Sequence, residues 1–366
     1  LEDLTAEAAN GSIDAAMALG VLYWYGAGPE DGAGPRALPA DKKKAMGFYR
    51  QAAVKDHAPA QLILADIYAS EATGIEPNVA EAVRLYGQAA KAGQVRAQCR
   101  LAVMYDKGQG VQQNIAEAFP WYQKCAQGGD ATAMLRLAEL HDTGATGSKN
   151  KIAAVDWYQR AARANEPRAA CRLAVFYDTG EGVLQDRAEA AKLYGVCAQS
   201  GDAPAMVRLA QLYEAGEGVP SNSETALAWY RKAADAGQSE AQCRLAALYE
   251  TGQGVAQDPA EAIKWYRSCA ESGSSSAMFR LAKFFDNADE PDNDPKVAAD
   301  YMFRALKANE QQAKDEMLGA AHNRSEAFRQ EFQKKLQAEN LYSGTIDGIL
   351  GAGTRQAIQV ITGDST

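Results

Sequence analysis

Six cysteines are the residues in this sequence most suited to covalent chemistry, and they form three pairs. The two members of a pair lie 26 residues apart, and the pairs recur every 72 residues: Cys99 and Cys125, Cys171 and Cys197, Cys243 and Cys269. At the equivalent positions between the pairs, both residues are something other than cysteine. Free core cysteines, which act as small apolar residues, have no reason to come and go in pairs. We therefore predict one disulfide within each pair.

Helix geometry supports this prediction. Cys99 lies near the start of a predicted first helix and Cys125 near the end of the antiparallel second helix, so at 1.5 Å rise per residue the two sulfurs lie at similar depth. In the chain-entropy account, each closed 26-residue loop contributes roughly 3 kcal/mol. Because disulfides persist in oxidising compartments, we expect a periplasmic protein or, alternatively, a secreted one.

An arginine and an acidic residue also repeat with a fixed spacing. The arginines begin the tripeptide RLA every 36 residues, at Arg100, Arg136, Arg172, Arg208, Arg244 and Arg280. The acids follow six residues later, at Asp106, Asp142, Asp178, Glu214, Glu250 and Asp286. Six residues turn about 240° around a helix, so each arginine faces away from the acid of its own helix. Two uses remain open: ion pairs between adjoining repeats, or a row of guanidinium groups that binds carboxylates of a partner.

We find no pattern that predicts catalysis. The three histidines, His57, His141 and His322, are far apart in sequence, and His141 replaces a repeated tyrosine, which suits a packed ring. The sequence has no HExxH, CxxC or nucleophile-elbow motif, and bridges explain the cysteines better than zinc does. We therefore predict no enzyme activity, no catalytic residue, no metal and no cofactor.

Charge and hydropathy restrict the partners. The net charge of −9 argues against nucleic acid, which needs a concentrated basic surface. No apolar run approaches the length that spans a bilayer, so we expect no membrane segment in this chain. Because the first residue is Leu1 rather than Met, we interpret the chain as a mature form or a fragment, which leaves room for an upstream anchor.

The elements that must position these residues are paired helices with a 36-residue period. In the stretch AQCRLAALYETGQGVAQDPAEAIKWYRSCAESG, Ala241, Leu245 and Tyr249 have helical spacing, and the Gly-x-Gly that follows is typical of a helix end rather than of a phosphate loop. Asp258 and Pro259 then suit the start of a second helix. One such hairpin cannot bury its apolar face alone, but a stack can. We predict an all-α solenoid of about eight repeats over residues 1–307.

The repeated pattern A-x-x-x-L-A-x-x-Y-x-x-G-x-G-V…A-x-x-W-Y-x-x-A-A resembles the Sel1-like repeat family, relatives of tetratricopeptide repeats. The resemblance covers about Ala15 to Lys307 and implies a right-handed superhelix that acts as an adaptor in protein complexes. The first repeat differs, since the stretch from Gly26 to Asp41 lengthens its turn; we expect a protruding loop there.

The C-terminal part departs from the repeat. We predict a closing helix and linker over residues 308–324, followed by a small helical module over residues 325–366. A helix from Ser325 carries an apolar stripe, and Thr354 is predicted to cap a second helix. The segment YSGTIDGILGAGTRQAI resembles the peptidoglycan-binding module of bacterial wall proteins, with matches at Gly344, Ile346, Asp347, Gly348, Gly351 and Thr354.

This module is too small to be stable without help, so we expect it to dock on the last helices of the solenoid. We expect Asp347 to accept backbone N–H bonds within the turn rather than to bind sugar. The resemblance nevertheless implies peptidoglycan as a partner of the module, in addition to proteins bound by the repeats.

The sequence thus predicts a non-enzymatic periplasmic scaffold that binds partner proteins on its solenoid surface and is held at the cell wall by its C-terminal module. Polar organisation and envelope assembly are roles of this kind; the order of the segments resembles that of polar-organising proteins. Two alternatives remain open: an enzyme or activator that modifies peptidoglycan, and a secreted factor that meets host proteins.

Overall fold

The computed structural model describes residues 1–26, 38–287 and 293–363, and these residues fold into α-helices without a β-strand. Most of the loop expected in the first repeat, residues 27–37, lies outside the described residues. The helices are α1 (Glu2–Ala9), α2 (Ile13–Tyr25), α3 (Lys42–Ala53), α4 (Ala58–Ala69), α5 (Val79–Lys91), α6 (Val95–Lys107), α7 (Ile115–Gln127), α8 (Ala131–Thr143), α9 (Lys151–Arg163), α10 (Pro167–Thr179), α11 (Arg187–Gln199), α12 (Ala203–Ala215), α13 (Ser223–Asp235), α14 (Ser239–Thr251), α15 (Pro259–Glu271), α16 (Ser275–Phe285), α17 (Pro295–Lys307), α18 (Gln311–Asp315), α19 (Glu326–Ala338) and α20 (Ala352–Thr362).

Local sequence signals fix where the helices of each repeat begin and end. Most first helices end at a glycine in the left-handed conformation, such as Gly108 (φ 70°) and Gly252 (φ 73°). The second helices begin at an Asn or Asp whose side chain accepts the third backbone N–H of the helix. At Asp258 this bond comes from Glu261 N at 3.1 Å, which confirms the predicted cap. The same N-cap bond is made by Asn78, Asn114, Asn150, Asp186, Asn222 and Asp294.

The chain forms two compact units, Leu1–Gln185 and Asp186–Thr366. Within the first unit, each helix from α2 to α10 packs on the helix that precedes it; within the second, the same is true from α12 to α17. Buried alanines let neighbouring helices approach closely, and repeated core tyrosines such as Tyr158 and Tyr230 fill the space between repeats. The fold is the predicted all-α repeat architecture.

The C-terminal segment packs against the end of the repeats. The closing helix predicted within residues 308–324 consists of the short α18 and a π-helical turn, Glu316–Ala320. Both α19 and α20 contact α17, which confirms the predicted docking. The apolar stripe of α19 is fully buried, at Phe328, Phe332 and Leu336. None of the described helices is long and apolar enough to cross a membrane.

The second glycine of the Gly-x-Gly turns has a packing role besides helix capping. Gly218 has φ +73°, and a Cβ there would lie 2.3 Å from the backbone carbonyl carbon of Arg187, at the start of α11. At Gly110 a Cβ would lie 2.9 Å from the carbonyl oxygen of Val79, at the start of α5. The turn of one repeat therefore touches the second helix of the preceding repeat at a place where only glycine fits.

We expect Gly218→Ala to lower the free energy of unfolding by about 1–2 kcal/mol, because alanine is strained in the left-handed region and its methyl group would meet Arg187. Gly195→Ala is the matched control: Gly195 lies inside α11 with open space around its Cβ, so alanine should be neutral or stabilise by about 0.5–1 kcal/mol. Urea unfolding measures both. Equal midpoints for the two variants would contradict this account of the turn.

Candidate functional site

Two of the predicted disulfides each lie within one of the two compact units. Cys99 is joined to Cys125 with their Cα atoms 5.0 Å apart, and Cys243 to Cys269 with their Cα atoms 5.4 Å apart. Each bridge ties the first helix of a repeat to its second helix. The remaining two cysteines are also disulfide-bonded, and the described residues include no free cysteine. Among the described residues, the one group whose side chains are of types that bind metal ions is Cys99, Cys125 and Asp130. The two sulfur atoms of this group are already joined to each other in the disulfide.

Cys171 and Cys197 are predicted to bridge each other, by the same spacing as the other pairs. Peptide mapping of the unreduced, alkylated protein should recover Cys171 and Cys197 in one linked fragment, and titration of the denatured protein should find essentially no free thiol. Unlinked fragments that carry alkylated Cys171 and Cys197 would contradict the prediction. The Cys99–Cys125 fragment serves as the internal control.

The arginine row and the acidic row meet between consecutive repeats. Arg136 donates from Nε to Asp106 Oδ2 (2.7 Å) and from Nη2 to Asp106 Oδ1 (2.9 Å), and Tyr122 donates to the same carboxylate at 2.9 Å. Asp106 is buried, with 7% exposure. We call such a set a rung: an acid of one repeat, the arginine of the next repeat and, in most cases, the core tyrosine that donates to the same acid.

Three more rungs follow the same pattern. Arg172 donates to Asp142 at 2.9 Å, where Lys151 takes the place of the tyrosine at 2.5 Å. The others are Arg244 with Glu214 and Tyr230, and Arg280 with Glu250 and Tyr266. These contacts supply hydrogen-bond donors to the acids and connect neighbouring repeats. They correspond to the first use considered for the arginines, ion pairs between adjoining repeats.

The rungs shift the pKa values of their members. Burial raises the pKa of Asp106, but the hydrogen bonds from Arg136 and Tyr122 outweigh it, so the net pKa is lowered. Burial, followed by the hydrogen bond to the carboxylate, raises the pKa of the tyrosine hydroxyls of Tyr86, Tyr122, Tyr230 and Tyr266. The Arg136 rung is therefore held as a charged Asp106 carboxylate and a neutral Tyr122 phenol at neutral pH.

Arg100, the first arginine of the row, is different. The second repeat is one residue longer than the third, and the position that corresponds to Asp106 is Ala69 rather than an acid. Asp66, one turn earlier, instead accepts from Tyr86 at 2.6 Å and from Arg96 at 2.9 Å. Arg100 is exposed, and it makes no hydrogen bond or ion pair with any residue in the described ranges.

A groove of about 1100 Å³ lies beside Arg100 on the first three repeats, within the first unit. It combines polar groups with apolar side chains that are open to solvent. Tyr25 is 78% exposed and Val21 is 46% exposed. Its lining also includes Trp24, Ile63, Asp66, Ile67, Arg96, Arg100, Val103 and Met104.

Gln333 organises the C-terminal turn, and sequence reasoning missed it. It is fully buried; its Oε1 accepts from Gly348 N at 2.8 Å, and its Nε2 donates to Asp347 Oδ1 at 3.0 Å and to Ile349 O at 3.1 Å. Asp347 also accepts from Ile349 N at 2.8 Å, which confirms its expected role within the turn. The Gln333 side chain and the Ile349 N–H lower the pKa of Asp347.

The other residues matched to the wall-binding pattern shape the same turn. Gly344 O accepts from the Gln337 side chain at 2.7 Å, Ile346 is half-exposed, and Gly348 has φ +73°. The prediction that Thr354 caps the last helix is wrong. The N-cap of α20 is Gly351, and Thr354 lies in the first turn, 1% exposed, with no hydrogen bond from Oγ1 to a described residue.

A second cavity of about 300 Å³ lies in the C-terminal segment, between the π-helical turn and the start of α20. Arg329 lies at its wall and donates to Gly348 O at 2.7 Å. Ile349, 69% exposed, and the exposed Arg355 also line it. The cavity thus presents an apolar side chain and an arginine to solvent, next to the turn that resembles the wall-binding module.

Comparison with solved structures identifies several similar proteins. A protective antigen present in uropathogenic Escherichia coli strains, displaying an SLR fold, is 25% identical, covers 99% of this chain and 81% of its own, and has a TM-score of 0.65. A Sel1 repeat protein from Oxalobacter formigenes is 32% identical over 63% of this chain and 94% of its own, with a TM-score of 0.46. An immunity protein from Pseudomonas aeruginosa is 24% identical over 59% of this chain and 82% of its own, with a TM-score of 0.30.

No curated protein sequence matches the chain significantly. The sequence profile of the Sel1 repeat, however, matches it eight times without a gap, at residues 13–57, 58–94, 95–130, 131–166, 167–202, 203–238, 239–274 and 275–310. Each matched segment contains one of the helix pairs from α2–α3 to α16–α17. The matches span most of the chain and agree with the predicted repeat and with the predicted number of repeats. The chain therefore belongs to the Sel1 repeat family.

Proposed function

We propose that this chain is a non-enzymatic scaffold of an extracytoplasmic compartment, which binds partner proteins on its repeats and is held at the cell wall by its C-terminal segment. Sel1 repeat proteins generally mediate protein–protein interaction. The observation that carries the proposal is the groove on repeats 1–3, because it exposes Tyr25, Val21 and Arg100, whose side chain has no hydrogen-bond or ion-pair partner among the described residues. Exposed aromatic and arginine side chains are the residues that anchor protein interfaces.

The disulfides support a location outside the cytoplasm, where such bonds persist. We place the protein in the periplasm because a scaffold with a wall-binding segment would act there. A secreted chain would share the disulfides but would have no use for a wall contact. Polar organisation and envelope assembly are roles that fit a scaffold at this site.

The wall contact is assigned to the cavity beside the turn 344–351. Gln333 and Asp347 are engaged in holding that turn, so they are architectural. Ile349 and Arg355 are exposed at the cavity instead. An apolar side chain beside a guanidinium suits a wall peptide, which presents methyl groups and carboxylates.

Removing the whole segment would uncover α17, so point variants test the wall contact better than a deletion does. We expect the intact protein to pellet with purified wall sacculi and the double variant Ile349→Ala/Arg355→Ala to remain in the supernatant with an unchanged unfolding midpoint. Arg84→Ala, an exposed arginine of α5, is the matched control and should pellet like the intact protein.

The same assay separates the scaffold from its enzymatic alternative. If the protein is a scaffold, the sacculi should release no more soluble wall fragments with it than without it. Release of such fragments by the purified protein would support a peptidoglycan-modifying enzyme and reject the scaffold. Equal pelleting of the intact protein and the double variant would reject the assigned wall contact.

A further inference from the structure

Arg100 occupies the rung position but lacks the acid that every other described rung has. Arg136 and Arg100 both begin an RLA tripeptide at the same place in a first helix. Arg136 binds the two carboxylate oxygens of Asp106, whereas the equivalent position in the repeat before Arg100 is Ala69. We propose that an extended acidic segment of a partner protein binds in the groove on repeats 1–3 and that its carboxylate occupies the missing rung at Arg100. This inference rests on the proposed scaffold function and names the chemistry of its partner.

The chemistry of the vacant rung selects a carboxylate. A guanidinium is charged at all accessible pH values and offers a planar fork that matches the two oxygens of a carboxylate. The rung of Arg136 shows that this position on a first helix supports the two-bond geometry, at 2.7 and 2.9 Å. The nearby Asp66 does not cancel the charge of Arg100, since it is already bound by Arg96 and Tyr86.

The lining of the groove also predicts which kind of residue lies next to the acid in the bound segment. Tyr25 and Val21 present apolar surface to solvent within the same groove, and Trp24 lies beside them under the ammonium group of Lys42, 5.3 Å from its ring centre. Aromatic side chains that are exposed in this way are typical anchors for a partner. The bound segment should therefore carry an apolar or aromatic residue next to its Asp or Glu.

The dimensions and charge favour a partner protein over other occupants. At about 1100 Å³ and open to solvent, the groove exceeds most pockets that enclose a small molecule, and it crosses the first helices of three repeats. An extended segment suits such a shape. A second copy of the chain is disfavoured because both copies carry a net charge of −9 and repel each other.

The test begins with a random library of displayed 12-residue peptides selected on the whole protein. We expect the enriched peptides to share an Asp or Glu beside an apolar residue. For a synthetic copy of one such peptide, replacing the acid by its amide should weaken the Kd at least 10-fold. Arg100→Ala should weaken the original peptide at least 10-fold as well, while Arg84→Ala should leave the Kd unchanged.

Arg100→Ala should unfold at the same urea concentration as the intact protein, because Arg100 forms no hydrogen bond or ion pair with the part of the chain that the structure describes. A loss of binding can then be attributed to the missing guanidinium rather than to unfolding. Selected peptides that lack an acid, or that bind Arg100→Ala as tightly as the intact protein, would overturn the inference. So would tighter binding of soluble wall fragments than of any peptide, or a dimer that Arg100→Ala converts to monomers. A partner protein that binds the intact protein and Arg100→Ala equally well would agree with the scaffold function but would reject the groove as the binding site.

Discussion

Replacing Arg324 by alanine should lower the free energy of unfolding by about 3–5 kcal/mol, the range for breaking a buried ion pair on one side. The Arg324 and Asp286 side chains are only 6% and 5% exposed, with Nη1 3.4 Å from the carboxylate. Arg324 also forms an ion pair with Glu316 and donates to Ala282 O at 2.9 Å. Without the guanidinium, the buried carboxylate of Asp286 would lose its cation.

Arg324 does for the last repeat what the row arginines do for the others, so its loss should loosen the C-terminal segment from α16. Arg355→Ala is the matched control, since Arg355 is exposed in the same segment; its unfolding midpoint should not change. Arg324→Lys should recover only part of the loss, because an ammonium group cannot reproduce the fork. Chemical unfolding measures all three variants, and an Arg324→Ala protein as stable as Arg355→Ala would refute this role.

Arg136→Ala is expected to lower the free energy of unfolding by about 1.5–3 kcal/mol, the range for the loss of hydrogen bonds to a charged group. Arg136 is about one-third exposed, but its partner Asp106 is buried, so the variant leaves a carboxylate with only the Tyr122 hydroxyl as a donor. Arg100→Ala, at the same position one repeat earlier, should cost essentially nothing. Urea unfolding of the two proteins at neutral pH makes the comparison, and equal losses would contradict the distinction between the occupied rung and the vacant one.

The same rung predicts a pH dependence. Because the pKa of Asp106 is lowered in the folded protein, its contribution to stability is present above the pKa of an unfolded Asp, about 3.9, and is lost as the pH falls through the lower folded pKa. The difference in stability between the intact protein and Arg136→Ala should therefore be full at pH 7 and shrink below about pH 4. A difference that stays constant between pH 7 and pH 3 would contradict the assignment.

The repeat architecture could be predicted because each determinant is local and recurs. The RLA arginine, the core tyrosine and the cap residue Asp258 lie at fixed positions in a 36-residue unit, so one repeat explains the others. The acids and arginines were also recognisable as two rows with opposite facing. Which acid each arginine contacts depends on how consecutive repeats pack, so the ion pair between Arg136 and Asp106 could be identified only from the folded structure.

The C-terminal segment was harder to predict because it breaks the period. The row position after Arg280 holds Glu316, and the guanidinium comes from Arg324, eight residues later. Gln333 was hidden because a polar residue on an amphipathic helix is expected to face water, yet here it is fully buried under the turn that it holds. Thr354 resembles a cap in sequence, but Gly351 occupies the position at which α20 begins.

The central claim, that the groove on repeats 1–3 receives a partner protein, can be tested directly by site-specific photo-crosslinking in the cells that produce the chain. A photoreactive phenylalanine would replace Tyr25 in the groove and, as a control, Leu184, which is 87% exposed in a turn of the same unit. The account predicts a discrete protein adduct from position 25, lost on adding Arg100→Ala, and none from position 184. No adduct from position 25, or the same adducts from both positions, would contradict it.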